Sequence, residues 1–263
     1  MENIVIIPTY NEIENISDIL EAVLKLPTRF DVMIVDDNSP DGTADCVRDM
    51  MKKYPDRIHL ECRSEKSGLG TAYIHGFKRA LELGYHYIYE MDADFSHNPD
   101  DLLKLHHACA IEGHDMSIGS RYITGVNVVN WPMGRVLLSY GASKYVSTIT
   151  GMKIKDPTAG FKCYSRKVLE CIDLDAVRFV GYAFQIEMKF LTWKYGFRIK
   201  EVPIIFTDRT RGESKMSSGI IKEALFGVVE MTIRSWFKTY QRIQRTTSKL
   251  QKDLEEAAEK KAS

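Results

Sequence analysis

The sequence predicts an α/β fold, a mostly parallel sheet with helices on both faces followed by a C-terminal amphipathic helix, and three observations carry that expectation. Short apolar runs alternate with stretches of helical periodicity from residue 4 to residue 112. The first run, at residues 4–7, is β-branched and apolar throughout, as a strand buried on both faces of a parallel sheet requires. Most runs give way to loops rich in Asp, Asn, Ser, Pro or Gly, the punctuation expected where strands leave a sheet. With 263 residues the chain holds one large domain or two small ones, and either buries a sizeable core.

In chain order, the first strand is closed by Pro8, and Ile13, Ile16, Leu20, Val23 and Leu24 then recur at helical spacing, predicting a helix over 11–26. A second strand at 32–35 runs into Asp36-Asp37-Asn38-Ser39-Pro40-Asp41-Gly42-Thr43 and another helix. The third unit pairs a strand at 57–61 with the loop 64–70 and a helix at 71–83; the fourth pairs a strand at 85–91 with a helix at 99–112. This rhythm implies a doubly wound, Rossmann-like sheet whose ligands bind at the carboxyl ends of its strands. A fifth strand is expected at 115–119, followed by Ser120-Arg121-Tyr122, and there the simple alternation stops. Asn130-Trp131-Pro132-Met133-Gly134-Arg135 leads into a helix reaching about residue 150, with Ser139 one turn after Arg135. Next come Asp156-Pro157-Thr158-Ala159-Gly160-Phe161-Lys162, a helix through 182–195 carrying Gln185 and Glu187, a strand at 198–205, and a basic loop at 208–216.

The segment Met91-Asp92-Ala93-Asp94-Phe95-Ser96-His97 carries the sharpest chemistry. In an extended segment residues i and i+2 point the same way, so Asp92 and Asp94 fall on one side of the backbone. Two anions so placed repel unless a cation lies between them, and Mg²⁺ or Mn²⁺ suits two carboxylates plus phosphate oxygens and water. The other reading makes one Asp the cap of the helix near Pro99 and leaves its neighbour solvated; Asp-x-Asp by itself leaves both open. The fold adds weight, because Pro8-Thr9-Tyr10-Asn11-Glu12, Asp36-Asp37, Lys66-Ser67-Gly68-Leu69-Gly70 and Asp92-Ala93-Asp94 all reach the same sheet edge. Caps and turns explain any one of these groups more readily than all four together. Arg121, Arg135, Arg209, Arg211 and Lys215 are either ordinary surface charge or, if they face the carboxylates, a phosphate clamp.

Lys plus Arg and Asp plus Glu number 36 each, so no global field favours nucleic acid as a partner. Five cysteines without a Cys-x-x-Cys pair favour reduced thiols in a cytosolic setting. The N-terminus enters a strand at once and lacks the basic region and cleavage site of a signal peptide. No run of about 20 apolar residues occurs, so no transmembrane span is expected. The expected division is a globular part over 1–216 and a C-terminal helix with a charged tail over 217–263. In a helix predicted over 217–245, Ile221, Leu225, Val228, Val229, Thr232, Trp236, Tyr240 and Ile243 form an apolar stripe beside the basic Arg234, Lys238, Arg242 and Arg245. Such a helix either packs on the domain or lies in an anionic membrane interface.

Taken together, IIPTYNE (6–12), VDDNSPDGT (35–43), GLGTAY (68–73), MDADFSH (91–97), GSRY (119–122), DPTAGFK (156–162) and RTRGESKM (209–216) resemble the family 2 inverting glycosyltransferases of the GT-A fold. The resemblance is strongest to the group that makes polyprenyl-phosphate (dolichol-phosphate) mannose, and it runs in order from about residue 2 to residue 216. It implies a GT-A catalytic domain over 1–216, a β-D-mannosyltransferase that uses GDP-mannose as donor and a polyprenyl or dolichyl phosphate as acceptor. By the same resemblance Pro8, Tyr10, Glu12 and Asp37 hold the guanosine, and Asp92 and Asp94 hold Mg²⁺ or Mn²⁺ on the diphosphate. Some members place Gln two positions beyond the second Asp as a further ligand; this chain has Ser96 there. Arg209 and Lys215 bind the donor, Arg121, Arg135 and Ser139 bind the acceptor phosphate, and Asp92, Asp94, Arg121 and Arg209 carry catalysis. Glu187 is a candidate to orient mannose hydroxyls or the acceptor. A membrane-lipid substrate implies peripheral attachment to the cytoplasmic face of a membrane, the endoplasmic reticulum in a eukaryote or the inner membrane in a bacterium. The attachment is made either by the C-terminal helix or through a small membrane-anchoring subunit. The rival readings are a polyprenyl-phosphate glucosyltransferase using UDP-glucose and a non-catalytic nucleotide-sugar binder that recruits partners to a membrane.

Overall fold

The computed structural model of the chain describes residues 1–208 and 218–241, with the backbone alone at 218–224. In chain order the strands are β1 Asn3–Thr9, β2 Asp31–Asp36, β3 Ile58–Cys62, β4 Tyr87–Glu90, β5 Met116–Ser120, β6 Val128–Val129, β7 Lys162–Ser165, β8 Ile199–Pro203 and β9 Phe206–Thr207. The helices are α1 Ile16–Leu24, α2 Thr43–Lys53, α3 Leu69–Glu82, α4 Asp101–His106, α5 Met133–Thr150, α6 Arg166–Cys171, α7 Ala183–Lys194 and α8 Ser218–Ser235. Seven strands make one sheet in the order β3-β2-β1-β4-β7-β5-β8, and β6 pairs with β9 in a separate ribbon.

The parallel half arises as the sequence predicts. Alternate side chains of β1 enter opposite layers: Ile4 and Ile6 pack with α3 and α7, while Val5 and Ile7 pack with α1, α2 and α4. Both layers exclude water, which is why the run reads as continuously apolar. Gly76 lets α3 lie directly on the sheet, since a Cβ there would come within 2.7 Å of Ile6.

Several boundaries differ from expectation for physical reasons. The first helix begins at Ile16 rather than residue 11, because Asn11 takes a left-handed φ of 57° and the N–H groups of Asn15 and Ile16 turn back onto the Glu12 carbonyl. The fourth helix is α4 followed by a π-turn over His107–Ile111. β7 lies antiparallel between β4 and β5 and has no counterpart in the sequence reading. It spans four residues, Lys162-Cys163-Tyr164-Ser165, and its polar ends hide it from an apolar-run criterion.

The C-terminal helix stops at Ser235, short of residue 245, where the N–H groups of Trp236 and Phe237 close onto Ile233 and Arg234. Tyr240 then packs edge-on against Tyr195, with centroids 5.2 Å apart. The expected stripe also splits. Val228, Thr232 and Ser235 are buried against the domain, whereas Leu225, Phe226, Val229, Ile233, Trp236 and Phe237 face solvent. Arg242, Ile243 and Arg245 lie outside the described residues, as does the side chain of Ile221. All five cysteines are free thiols. Among the described residues no helix is long and apolar enough to cross a membrane.

Candidate active site

The carboxyl ends of β1, β2 and β4 are adjacent in the sheet, so the loops after them share one edge. After β2, Asp36 accepts hydrogen bonds from the Thr9 hydroxyl at 2.8 Å, the Ser39 hydroxyl at 2.6 Å and the Ser39 N–H at 2.9 Å. Asp41 accepts from the Thr43 N–H at 3.0 Å and from the Ile13 N–H at 3.1 Å, stitching the loop after β2 to the loop after β1. Asp36 and Asp41 therefore act as scaffold. Asp37 faces a different partner, a two-pronged pair with Arg63 at 2.6 and 2.7 Å, and Arg63 also reaches the Thr71 hydroxyl at 2.8 Å. Pro8 ends β1 beside Val35. Tyr10 lies under the Lys66 ammonium, 4.3 Å from the ring centroid. The Glu12 N–H donates to the Thr43 hydroxyl at 3.1 Å.

After β4 the backbone does not stay extended. The strand ends at Glu90, and residues 93–97 form a compact loop in which Phe95 has a φ of 58°. A left-handed conformation is costly for so bulky a residue and marks a backbone held by its surroundings. Its effect is local: the Ser96 N–H returns to the Asp94 carboxylate at 3.0 Å. Asp92 and Asp94 do share one cleft, though by this tight loop rather than by strand alternation. Asp94 is buried, while the Asp92 side chain is 39% exposed at the mouth. Ser96 is buried on the same wall, and its carbonyl accepts from Thr207, tying the loop to β9. His97 is sandwiched between Phe161, stacked with centroids 4.9 Å apart, and the edge of Phe206. Burial holds its imidazole down to about 4 although the Asp94 charge pulls the other way, so it stays neutral near pH 7.

Across the cleft stand Arg121 and Arg135. Arg121 is buried and paired with Asp156: Nε reaches Oδ2 and Nη2 reaches Oδ1, both at 2.7 Å, and Nη2 also reaches the Thr158 hydroxyl. Arg135 lies over Trp131 and shares Nη1 between both oxygens of Asp208 at 2.9 Å. The Ser139 hydroxyl accepts from Tyr122 at 2.8 Å, one turn along α5 from Arg135. The cleft thus brings together Asp92, Asp94, Ser96, Arg121 and Arg135, whereas Pro8, Tyr10, Glu12 and Asp37 sit on the neighbouring strand ends and Ser139 behind the wall. Arg209, Arg211 and Lys215 lie outside the described residues.

Two helical positions separate cleanly. Gln185 lines the cleft, and its amide donates to Glu90 at 2.9 Å within a buried network that includes Lys162 and Tyr164. Burial lowers Lys162 from the ordinary lysine value against the pull of Glu90. Glu187 points elsewhere: it sits in the groove between α7 and α8 and accepts from the N–H groups of Arg178 and Phe179, both at 3.0 Å. Arg63, Trp131 and Asp156 are the structural partners that sequence reasoning missed. Asp156 stood within a quoted motif, but nothing in a linear pattern pairs it with an arginine 35 residues away.

Residues 4–173 match the family model described as glycosyl transferase family 2. The chain is 46% identical over 231 residues to the polyprenol monophosphomannose synthase of Mycolicibacterium smegmatis, covering 88% of this chain and 87% of that protein. It is 45% identical over 228 residues to the undecaprenyl-phosphate mannosyltransferase of Micrococcus luteus, covering 87% and 93%. Among solved structures, glucosyl-3-phosphoglycerate synthase of Mycobacterium tuberculosis, in complex with Mn²⁺, UDP and phosphoglyceric acid, shares the fold at a TM-score of 0.63 and 14% identity, covering 89% of this chain and 78% of that one. A mannosyltransferase of Pyrobaculum calidifontis in complex with GDP-Man and Mn²⁺ does so at 0.53 and 17%, covering 88% and 73%.

Proposed function

The chain belongs to glycosyl transferase family 2, and from that premise we propose that it transfers mannose from GDP-mannose to a polyprenyl phosphate, with inversion at the anomeric carbon and release of GDP. One observation carries the reading beyond the resemblance to its relatives. Among the described residues the only carboxylates lining the cleft are Asp92 and Asp94, and the wall that faces them carries the guanidinium groups of Arg121 and Arg135, each paired with a carboxylate outside the lining. A sugar hydroxyl needs a general base to attack, whereas a phosphate monoester is already an anionic nucleophile near neutral pH. With no third carboxylate among the described lining residues and two arginines, the cleft suits the second kind of acceptor.

On this reading Pro8, Tyr10, Glu12 and Asp37 hold the guanosine, with Arg63 fixing the Asp37 carboxylate. Asp92 and Asp94 fit a hard divalent cation, Mg²⁺ or Mn²⁺, as a partial shell. Among the described residues no cluster of three His, Cys, Asp or Glu is arranged for a metal, so diphosphate oxygens and water supply the remaining ligands. When bound, that ion stabilises the charge that grows on the leaving diphosphate. Arg121 and Arg135 bring the acceptor phosphate up against electrostatic repulsion from the donor, while Ser139, outside the cleft lining, supports that wall through Tyr122. Arg135 exchanges Asp208 for the phosphate, and their partly exposed pair is weak enough to permit it. Arg209 and Lys215 complete the donor clamp.

The acceptor reaches this cleft from a membrane. α5 leaves Met133, Leu137, Leu138 and Tyr140 exposed, and α8 with the turn after it, joined to α5 by the Tyr145 hydroxyl on the Leu225 carbonyl, exposes Phe226, Ile233, Trp236 and Phe237. α5 buries Ser143, Val146 and Thr150 and α8 buries Val228, Thr232 and Ser235, while both present their largest apolar side chains outward, unlike a helix that only caps a soluble domain. With Arg234 and Lys238 alongside, this face suits an anionic bilayer surface.

The test is incubation of the purified protein and a divalent cation with radiolabelled GDP-mannose and a panel of polyprenyl phosphates, followed by lipid extraction. The expected product is a mannosyl phospholipid, undiminished by excess UDP-glucose. Label transfer from UDP-glucose instead, or GDP-mannose binding without any glycolipid, overturns the proposal.

A further inference from the structure

Trp131 forms the cleft wall between Arg121 and Arg135. Its ring centroid lies 4.1 Å from the Arg135 guanidinium carbon and 5.7 Å from that of Arg121, and Phe206 packs across it with centroids 5.3 Å apart. The backbone that carries it is tightly set. Asn130 before it takes a φ of 63°, Pro132 after it opens α5, and the preceding β6 is paired with the strand that bears Phe206. The indole Nε1 is buried and meets no acceptor among the described residues. Native structures seldom leave a buried donor unpaired, because desolvation without a hydrogen bond is destabilising. Neither the two guanidinium groups nor the Phe206 ring offers an oxygen to accept that N–H, and the Asp156 and Asp208 carboxylates engage Arg121 and Arg135 instead.

Building on the acceptor assignment above, we propose that Trp131 is a binding and specificity-determining residue for the acceptor phosphate: its Nε1–H donates to a phosphate oxygen while its ring holds the Arg135 guanidinium in place. Trp131, Arg121 and Arg135 then form a cradle that offers donors only. A deprotonated phosphate offers acceptors only and matches that cradle. A neutral hydroxyl brings an O–H that none of these three side chains can accept, so they favour phosphate over an alcohol.

Trp131→Phe keeps an aromatic ring over Arg135 and removes the N–H. In steady-state assays with GDP-mannose and a short-chain polyprenyl phosphate, the acceptor KM is expected to rise about tenfold or more, the scale of one hydrogen bond to a charged group. GDP affinity and kcat stay within about twofold. An unchanged acceptor KM in a folded Trp131→Phe protein overturns the proposal, as does an equal loss of GDP affinity. A second measurement does not depend on turnover or on that variant folding. In the full chain carrying Trp193→Phe and Trp236→Phe, Trp131 is the sole indole. Its emission is expected to shift on adding short-chain polyprenyl phosphate and to stay unchanged with the matching polyprenol. An equal response to both, or none to the phosphate, rejects the contact. Failure of the underlying reading shows separately, as a wild-type protein that makes no mannosyl lipid in the same assay.

Discussion

At the carboxyl ends of β1 and β2 the polar side chains answer one another within a pair of neighbouring strands. Thr9 and Ser39 converge on Asp36, and Thr43 and the Ile13 N–H on Asp41. Beyond β5 the charged groups find partners across long stretches of chain: Arg121 takes Asp156, and Arg135 takes Asp208, 73 residues away. The side proposed for the nucleotide is thus held by bonds between the loops after two adjacent strands, whereas the proposed acceptor side draws on β7, α5 and β9 together. An arginine–carboxylate pair appears on each side, but Arg63–Asp37 keeps 13% and 8% side-chain exposure, whereas Arg121–Asp156 keeps 5% and 0%.

The largest effect that tests this contrast is on stability. Asp156→Asn leaves Arg121 buried without a counter-charge, a change expected to cost about 3–5 kcal/mol, read as a fall in the urea midpoint. Asp37→Asn, at the more open pair, is expected to cost about 1.5–3 kcal/mol, the range of hydrogen bonds to charged groups. Equal losses would erase the distinction between the two sides. The pH dependence has a definite sign. Burial pushes the Asp156 carboxyl up, but Arg121 more than offsets this and holds it below the ordinary range. Its contribution is therefore present above the unfolded value of about 3.9 and is lost as pH falls through the lower folded one. Acid titration of the wild type should show that slope, and Asp156→Asn should flatten it.

Next in size is chemistry. Asp94→Ala is expected to lower turnover at least about 100-fold, on the scale of removing a preorganised electrostatic group, with the urea midpoint little changed. Chelation of divalent ions should abolish wild-type activity and added Mn²⁺ or Mg²⁺ should restore it. Near-normal turnover in chelator removes the metal role from Asp92 and Asp94 altogether.

The same contrast explains what was legible beforehand. The strands and helices up to β5 announce themselves because each is a contiguous pattern, and the Asp92–Asp94 pair was visible as two carboxylates on one edge. They share one cleft in a loop where Phe95 takes a left-handed φ and the Ser96 N–H returns to Asp94, a local geometry that no alternation rule predicts. β7 was invisible because its evidence is the register of Glu90 with Lys162, a pairing of two polar residues across the core. Arg121 was recognised as a cation but its commitment to Asp156 was not, since nothing local connects them. In α8 the helical period located an apolar stripe but left open whether domain or surroundings receive it, and the structure divides that stripe between the two.

The exposed part of that stripe sets the third prediction. Phe226→Ser with Phe237→Ser removes two side chains that are 77% and 86% exposed. Partitioning onto anionic vesicles is expected to fall at least about tenfold, given about 1.5–3 kcal/mol for burying each ring, while soluble GDP affinity is retained. Undiminished vesicle binding assigns membrane attachment to something other than this face.

The smallest effect comes from the most open of the three arginine pairs. Arg135 and Asp208 keep 37% and 27% side-chain exposure, so Asp208→Asn is expected to change stability by less than about 1 kcal/mol, well below Asp156→Asn. Its functional consequence runs the other way from the buried pair. Losing Asp156 unseats Arg121 and weakens the acceptor site, whereas losing the Asp208 charge releases Arg135 from a competitor for the phosphate. The acceptor KM of Asp208→Asn should therefore stay level or fall. A rise in KM means that Asp208 orients Arg135 for the phosphate, and the exposed pair then belongs with the buried one as a fixed part of the site.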